Sequence, residues 1–132
     1  MNKIKFFNFV LFLFISFSHN INSSCDKAEN ASRVTIAGGS LTEIVYLLGQ
    51  ENKLVAVDIT SNYPKEAKEL PSIGYVRALS AEGVLSLSPT LILGEDDTGP
   101  AAVMEQLSRV GIQIEIIPEE NTANGIIKKV KC

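Results

Sequence analysis

The sequence predicts an α/β fold, a mainly parallel β-sheet with helices on both faces, and three observations lead there. Short runs rich in β-branched and apolar residues recur at 33–37, 54–58, 91–93 and 113–117. Helix-length segments separate them, the βα alternation that implies right-handed crossovers and a parallel sheet. In the second run, 54–58, the apolar residues are almost continuous, as expected of a strand covered on both faces.

The elements follow in order. The first strand, 33–37, runs into Gly38-Gly39. Ser40 and Glu43, three apart, form a capping-box pattern for a helix to about Leu48, with Gly49 placed to stop it. The second strand is 54–58. An irregular stretch, 59–74, contains Pro64 and Pro71, with room for a helical turn over 65–69 and a short strand or extended loop over 72–75. Ser80 caps a helix over 81–87 that Ser88-Pro89 closes. After the third strand, residues 94–100 form a polar loop. The helix over 101–110 places Val103, Leu107 and Val110 on one face, with Gly111 after it. Pro118 stops the fourth strand, and a last helix occupies 122–131. In such sheets ligands gather at the carboxyl ends of the strands, here Gly38 to Ser40, Asp58 to Ser61, and Gly94 to Gly99.

Residues 1–24 are read as a secretory signal peptide with a polar spacer. Lys3 and Lys5 give a basic start, residues 6–17 are almost wholly apolar, and a polar stretch follows. The apolar run is about a dozen residues, short of the roughly 20 that cross a bilayer. No stable membrane span is therefore expected after signal removal. Ser16 and Ser18 place small residues at alternate positions, which suits cleavage after Ser18. Cys25 could instead carry a lipid anchor, but Asn22-Ser23-Ser24 before it is a poor match for a lipoprotein box.

Composition narrows the function. The net charge is −3, and loss of Lys3 and Lys5 leaves ten basic against fifteen acidic residues, or −5. An acidic domain is a poor partner for nucleic acid, which selects basic stripes. The single histidine, His19, lies in the signal region, so the remainder has neither a Ser-His-Asp arrangement nor a conventional zinc site, and no catalytic residue is assigned. Cys25 and Cys132, at opposite ends of the exported chain, have no metal-ligand or redox spacing and are read as incidental. Gly38-Gly39-Ser40 lacks the spacing of a phosphate loop and reads as a tight turn into a helix. The Glu95-Asp96-Asp97 run reads as a solvated face rather than a cation site.

The specific information lies in GYVRALSAEGVLSLSP, Gly74 to Pro89, together with AGGSLTEIVY, Ala37 to Tyr46, Val57-Asp58 and Ser61-Asn62-Tyr63-Pro64. In this order and spacing they resemble the periplasmic haem-binding proteins of bacterial ABC importers, within the group that also binds vitamin B12 and iron siderophores. The likeness runs from about Arg33 to the last residue. It implies residues 25–132 as the N-terminal, Rossmann-like lobe of a two-lobed periplasmic binding protein, incomplete because the linking helix and second lobe are missing.

The resemblance also implies site residues and partners. Tyr75 matches the axial ligand to ferric haem, a hard phenolate donor suited to Fe(III). A phenol ionises near pH 10, so ligation at neutral pH calls for a nearby cation. Arg77 supplies it, on the same side as Tyr75 if the segment is extended. Glu82 matches the acidic residue that docks on the membrane permease, although a carboxylate in a first helical turn also suits the helix dipole by itself. The implied function is non-enzymatic: haem binding in the periplasm and delivery to the permease. Ser88-Pro89-Thr90 departs from the family's Arg/Lys-Pro-Asp, and the 95–97 acids border the expected cleft. Cobalamin or ferric-siderophore binding is the alternative within the group. A small Rossmann-like enzyme is disfavoured by the export signal, and a truncated, inactive product remains the plain alternative.

Overall fold

The computed structural model describes Cys25 and residues 27–132. The signal-peptide reading and His19 lie outside those residues. Four strands, β1 (Val34–Ala37), β2 (Leu54–Val57), β3 (Leu91–Glu95) and β4 (Gln113–Ile117), form one sheet in the order β2-β1-β3-β4. All neighbouring pairs are parallel. Four α-helices connect or follow them: α1 (Gly39–Leu47), α2 (Ala81–Leu85), α3 (Ala101–Arg109) and α4 (Ala123–Lys131). The expected fold class is the observed one.

Two apolar layers flank the sheet. Val34, Ile36, Leu54 and Leu91 pack against Leu41, Val45 and Tyr46 of α1. On the opposite face Ala37, Ala56 and Ile92 pack against Ala81 and Val84 of α2 and Leu107 of α3. Successive strand side chains point to opposite faces, so a strand buried on both is mostly apolar, with Thr35 the buried polar exception in β1. Ile36 and Ile92 are fully buried, each contributing about 1.5–3 kcal/mol by leaving water.

Several local expectations change. The cap of α1 is Gly38, with no side-chain bond, and Ser40 sits inside the first turn with its hydroxyl turned to Glu95. Gly49 does end α1, at φ 65°, with Gly49 N–H donating to Tyr46 O and Gln50 N–H to Val45 O. A 3₁₀ turn over Glu51–Lys53, unsignalled in the sequence, precedes β2. The helical turn at Lys65–Glu69 is present as 3₁₀. Ser80 caps α2, accepting from Gly83 N–H at 3.0 Å, and Thr122 caps α4 in the same way. Leu107 is buried on α3 as expected, but Val110 is 58% exposed because the helix has ended at Arg109.

The cysteines are not incidental. Cys25 and Cys132 are joined in a disulfide, their Cα atoms 5.3 Å apart. The sheet brings the two ends of the described chain side by side, which their separation of 107 residues conceals. The bond engages the same Cys25 sulfur that a lipid anchor would use.

Candidate functional site

The carboxyl edge of the sheet is organised around Asp58, directly after β2 and only 1% exposed. Its Oδ1 accepts from Gly38 N–H at 3.1 Å and Ser61 Oγ–H at 2.8 Å. Its Oδ2 accepts from Thr60 N–H at 3.0 Å and Thr60 Oγ–H at 2.6 Å. These bonds tie the turn after β1 to the loop after β2. Gly38 sits at φ 146°, a conformation that favours glycine, and a Cβ there would lie 2.7 Å from Glu95 Oε2.

Residues 71–74 run along the outer edge of β2. Val57 N–H donates to Pro71 O, Ile73 N–H to Val57 O and Ile59 N–H to Gly74 O, at 2.9–3.0 Å. This ladder carries Tyr75 to the carboxyl end of β2. The chain then turns, Ala78 N–H donating to Tyr75 O at 2.8 Å. The expected extended run from Tyr75 to Arg77 is thus a β-turn, closed because Val76 and Leu79 bury their side chains inward. Gly99 N–H to Val76 O and Leu79 N–H to Gly99 O strap the turn to the loop after β3.

Burial of Ile73, Val76 and Leu79 leaves Tyr75 and Arg77 facing solvent, Tyr75 at 42% exposure. Arg77 Nε donates to Asp97 Oδ2 at 2.8 Å. That bond, with the Tyr75 phenol next in importance and the Asp97 charge after it, holds the Arg77 guanidinium above its already high range. Arg77 is therefore within electrostatic reach of Tyr75, but its charge is already shared with a carboxylate. Glu82 stands exposed in the first turn of α2 and has no hydrogen bond or ion pair to either residue among the described contacts. The structure brings Tyr75 and Arg77 together and leaves Glu82 on a separate helix.

Of the three acids in the 95–97 run, Asp96 and Asp97 are exposed as expected of a solvated face, and Glu95 alone is withdrawn from water. Asp97 holds Arg77, and Asp96 accepts from Glu119 N–H at 2.9 Å. Glu95 is 8% exposed and accepts from Lys129 Nζ at 2.7 Å and from the Ser40 hydroxyl. Lys129 Nζ also reaches Ser40 Oγ at 2.9 Å. A carboxylate at the buried end of a central strand needs such a counter-charge. Neither the Asp58 network nor the Glu95–Lys129 pair was assigned from sequence; an acid ending an apolar strand run was the available signal for both.

A groove of about 990 Å³ opens between α1 and the segment from Glu119 to Lys129, with Ser40, Leu47, Tyr63 and Ile126 among its walls. Leu47, Tyr63 and Ile126 are 79%, 67% and 61% exposed, so this rim is apolar as well as open. Among the described residues no group of acids, cysteines or histidines is arranged to hold a metal ion. No helix among them is long and apolar enough to cross a membrane.

Comparison with known proteins places this geometry. A periplasmic heme-binding protein from Pseudomonas aeruginosa superposes with a TM-score of 0.71 at 43% identity, over 75% of this chain and 37% of that one. The periplasmic heme-binding protein HutB of Vibrio cholerae gives 0.72 at 40% identity, over 77% and 39%. The vitamin B12-binding protein BtuF of Vibrio cholerae gives 0.66 at 30% identity, over 75% and 38%. Among curated proteins, the vitamin B12-binding protein of Yersinia pestis (strain Pestoides F) is 38% identical over 87 residues, 66% of this chain and 31% of that protein. The chain thus spans about a third of the curated relatives' length. The model of the family described as periplasmic binding protein matches residues 34–131, nearly all of the sheet and helices described above. Because that model covers residues 34–131, the chain belongs to the periplasmic binding protein family.

Proposed function

We propose that this chain forms the N-terminal lobe of the substrate-binding component of an ABC importer. In this reading it is exported through residues 1–24, takes ferric haem in the periplasm through the Tyr75 phenolate and docks on the permease through Glu82. The carrying observation is Tyr75 itself, exposed at the carboxyl end of β2 on a turn fixed by three buried neighbours. A ligand oxygen on such a turn is held in place before the ligand arrives, which limits the ordering cost of binding. Arg77 favours the anionic ligand from two positions on in the same turn, less strongly than a free cation because Asp97 shares its charge. The heme-binding proteins of P. aeruginosa and V. cholerae, at 43% and 40% identity, support haem as the cargo.

Vitamin B12 is the second reading, favoured by the 38% identity to the Yersinia protein. It differs in chemistry. Cobalamin brings its metal already chelated and gives Tyr75 no vacant ferric position. The two separate in one experiment: the chain from residue 25 is titrated with hemin and with cyanocobalamin, beside Tyr75→Phe. Haem binding gives a saturable ferric-phenolate absorbance that Tyr75→Phe abolishes. Saturable cyanocobalamin binding indifferent to Tyr75→Phe would support the second reading. If neither ligand saturates while the chain stays folded, both readings fail for this chain.

A further inference from the structure

Helix α4 is attached to the sheet in an unusual way. Its buried residue is Gly125, whereas Ile126 and Ile127 are 61% and 50% exposed. An amphipathic helix is normally held by its apolar face. Here Val130 contributes to an apolar hollow with Ile44 and Leu48 of α1, and the stronger fastenings are polar or covalent. Lys129, with 7% of its side chain exposed, reaches Glu95 and Ser40. One turn on, Cys132 ends the helix and is bonded to Cys25. Cys132 lies on the surface and Cys25 is half-buried, so a thiolate can reach the bond.

We propose that the Cys25–Cys132 disulfide is a reducible clasp on α4: oxidised, it holds Lys129 in the Glu95 site and keeps up one wall of the groove; reduced, it lets α4 leave while the sheet persists. The electron balance is that of dithiol exchange. The disulfide takes two electrons and two protons to become two thiols, and a dithiol reductant becomes its own disulfide. The segment's independence follows from its fastening. Both flanking layers are built from the sheet, α1–α3 and the segments beside them, with Cys25 packed against the α1 layer and no residue of α4 in either. Segments with few buried apolar contacts open separately from the core. The groove follows because Ala123, Ile126 and Lys129 line it opposite α1. None of this depends on which ligand the lobe carries.

The test is hydrogen exchange with mass-spectrometric readout on the full chain from residue 25, oxidised and after treatment with dithiothreitol, with thiols counted by alkylation. The expected result is no alkylation before reduction and two alkylated cysteines after it. Amides of residues 123–132 then exchange at least about tenfold faster while those of β1 and β3 hold their protection. Cys132→Ser reproduces the fast α4 exchange without reductant; where that variant fails to fold, the reduction of the parent chain decides alone. Two free thiols in the air-oxidised protein, or α4 exchange unchanged on reduction, would overturn the proposal. So would equal acceleration across the whole sheet, since the bond would then staple the lobe and not clasp one helix.

Discussion

Replacing Asp58 by asparagine tests whether the carboxyl edge is organised as described. The carboxylate is 1% exposed and offers both oxygens to donors, two on each side. Asparagine keeps one acceptor and presents an amide N–H₂ where the other was. If its oxygen faces Gly38 and Ser61, which are buried, the N–H₂ meets the Thr60 amide and hydroxyl. Those donors lose their partner, although water reaches Thr60 and softens the loss. Bonds to a charged acceptor contribute about 1.5–3 kcal/mol each, and orphaned buried donors cost a further 1–3 kcal/mol. Counting one side lost and partly rehydrated, Asp58→Asn is expected to cost about 2–4 kcal/mol. With a urea m-value of about 2 kcal/mol per molar, the midpoint falls by roughly 1–2 M. Circular dichroism during urea unfolding reads this directly, with Thr60→Val as a milder control that loses one side-chain donor. A cost below about 1 kcal/mol for Asp58→Asn would show that the four bonds are not held in solution, and the argument from Asp58 would fall.

Other outcomes follow from the same geometry. Lys129→Met strands the Glu95 carboxylate at 11% side-chain exposure and is expected to cost about 3 kcal/mol. Adding Glu95→Gln removes the stranded charge, so the double variant recovers most of that loss in a denaturation cycle. Tyr46 has its ionisation raised above the usual 10.0, first by burial and then by Glu66, Glu51 and Glu69. The folded chain holds that proton more tightly than the unfolded one, so stability present below pH 10 declines as pH rises through the folded value. Tyr46→Phe is expected to flatten that decline in pH-dependent thermal melts. Glu82→Lys, at an exposed first-turn position of α2, is expected to lower the melting temperature by no more than about 5 °C, the cost of reversing a charge beside a helix N-terminus. On the proposed docking role, it weakens stimulation of the permease ATPase by the ligand-loaded protein.

Much of the fold was legible because burial on both sheet faces demands apolar strands, and residues 54–57 and 91–93 obey that demand, while the edge strand at 113–117 alternates polar and apolar residues. Ser80 and Gly49 were readable for a similarly local reason. Their bonds close within a few residues, to Gly83 N–H and Tyr46 O, so spacing alone identifies them. Tyr75 and Arg77 came from the resemblance of a motif, and the structure then supplied a turn where an extended run was expected. Buried Val76 and Leu79 explain that difference.

What the sequence determined by itself is therefore the kind and order of the elements, since hydrophobic periodicity and capping act over a few residues. The tertiary structure decided the partners. Glu95 meets Lys129 from 34 residues away, Ser40 from 55, and Cys25 meets Cys132 across 107. The strand order β2-β1-β3-β4 sets β1 beside β3, and the fold brings the end of α4 beside Cys25. Ser40 in a capping pattern, two terminal cysteines and three consecutive acids each had a plausible local role. Each found a distant partner instead, because the packed sheet sets residues far apart in sequence side by side, and a charge withdrawn from water, as Glu95 is, needs a partner there.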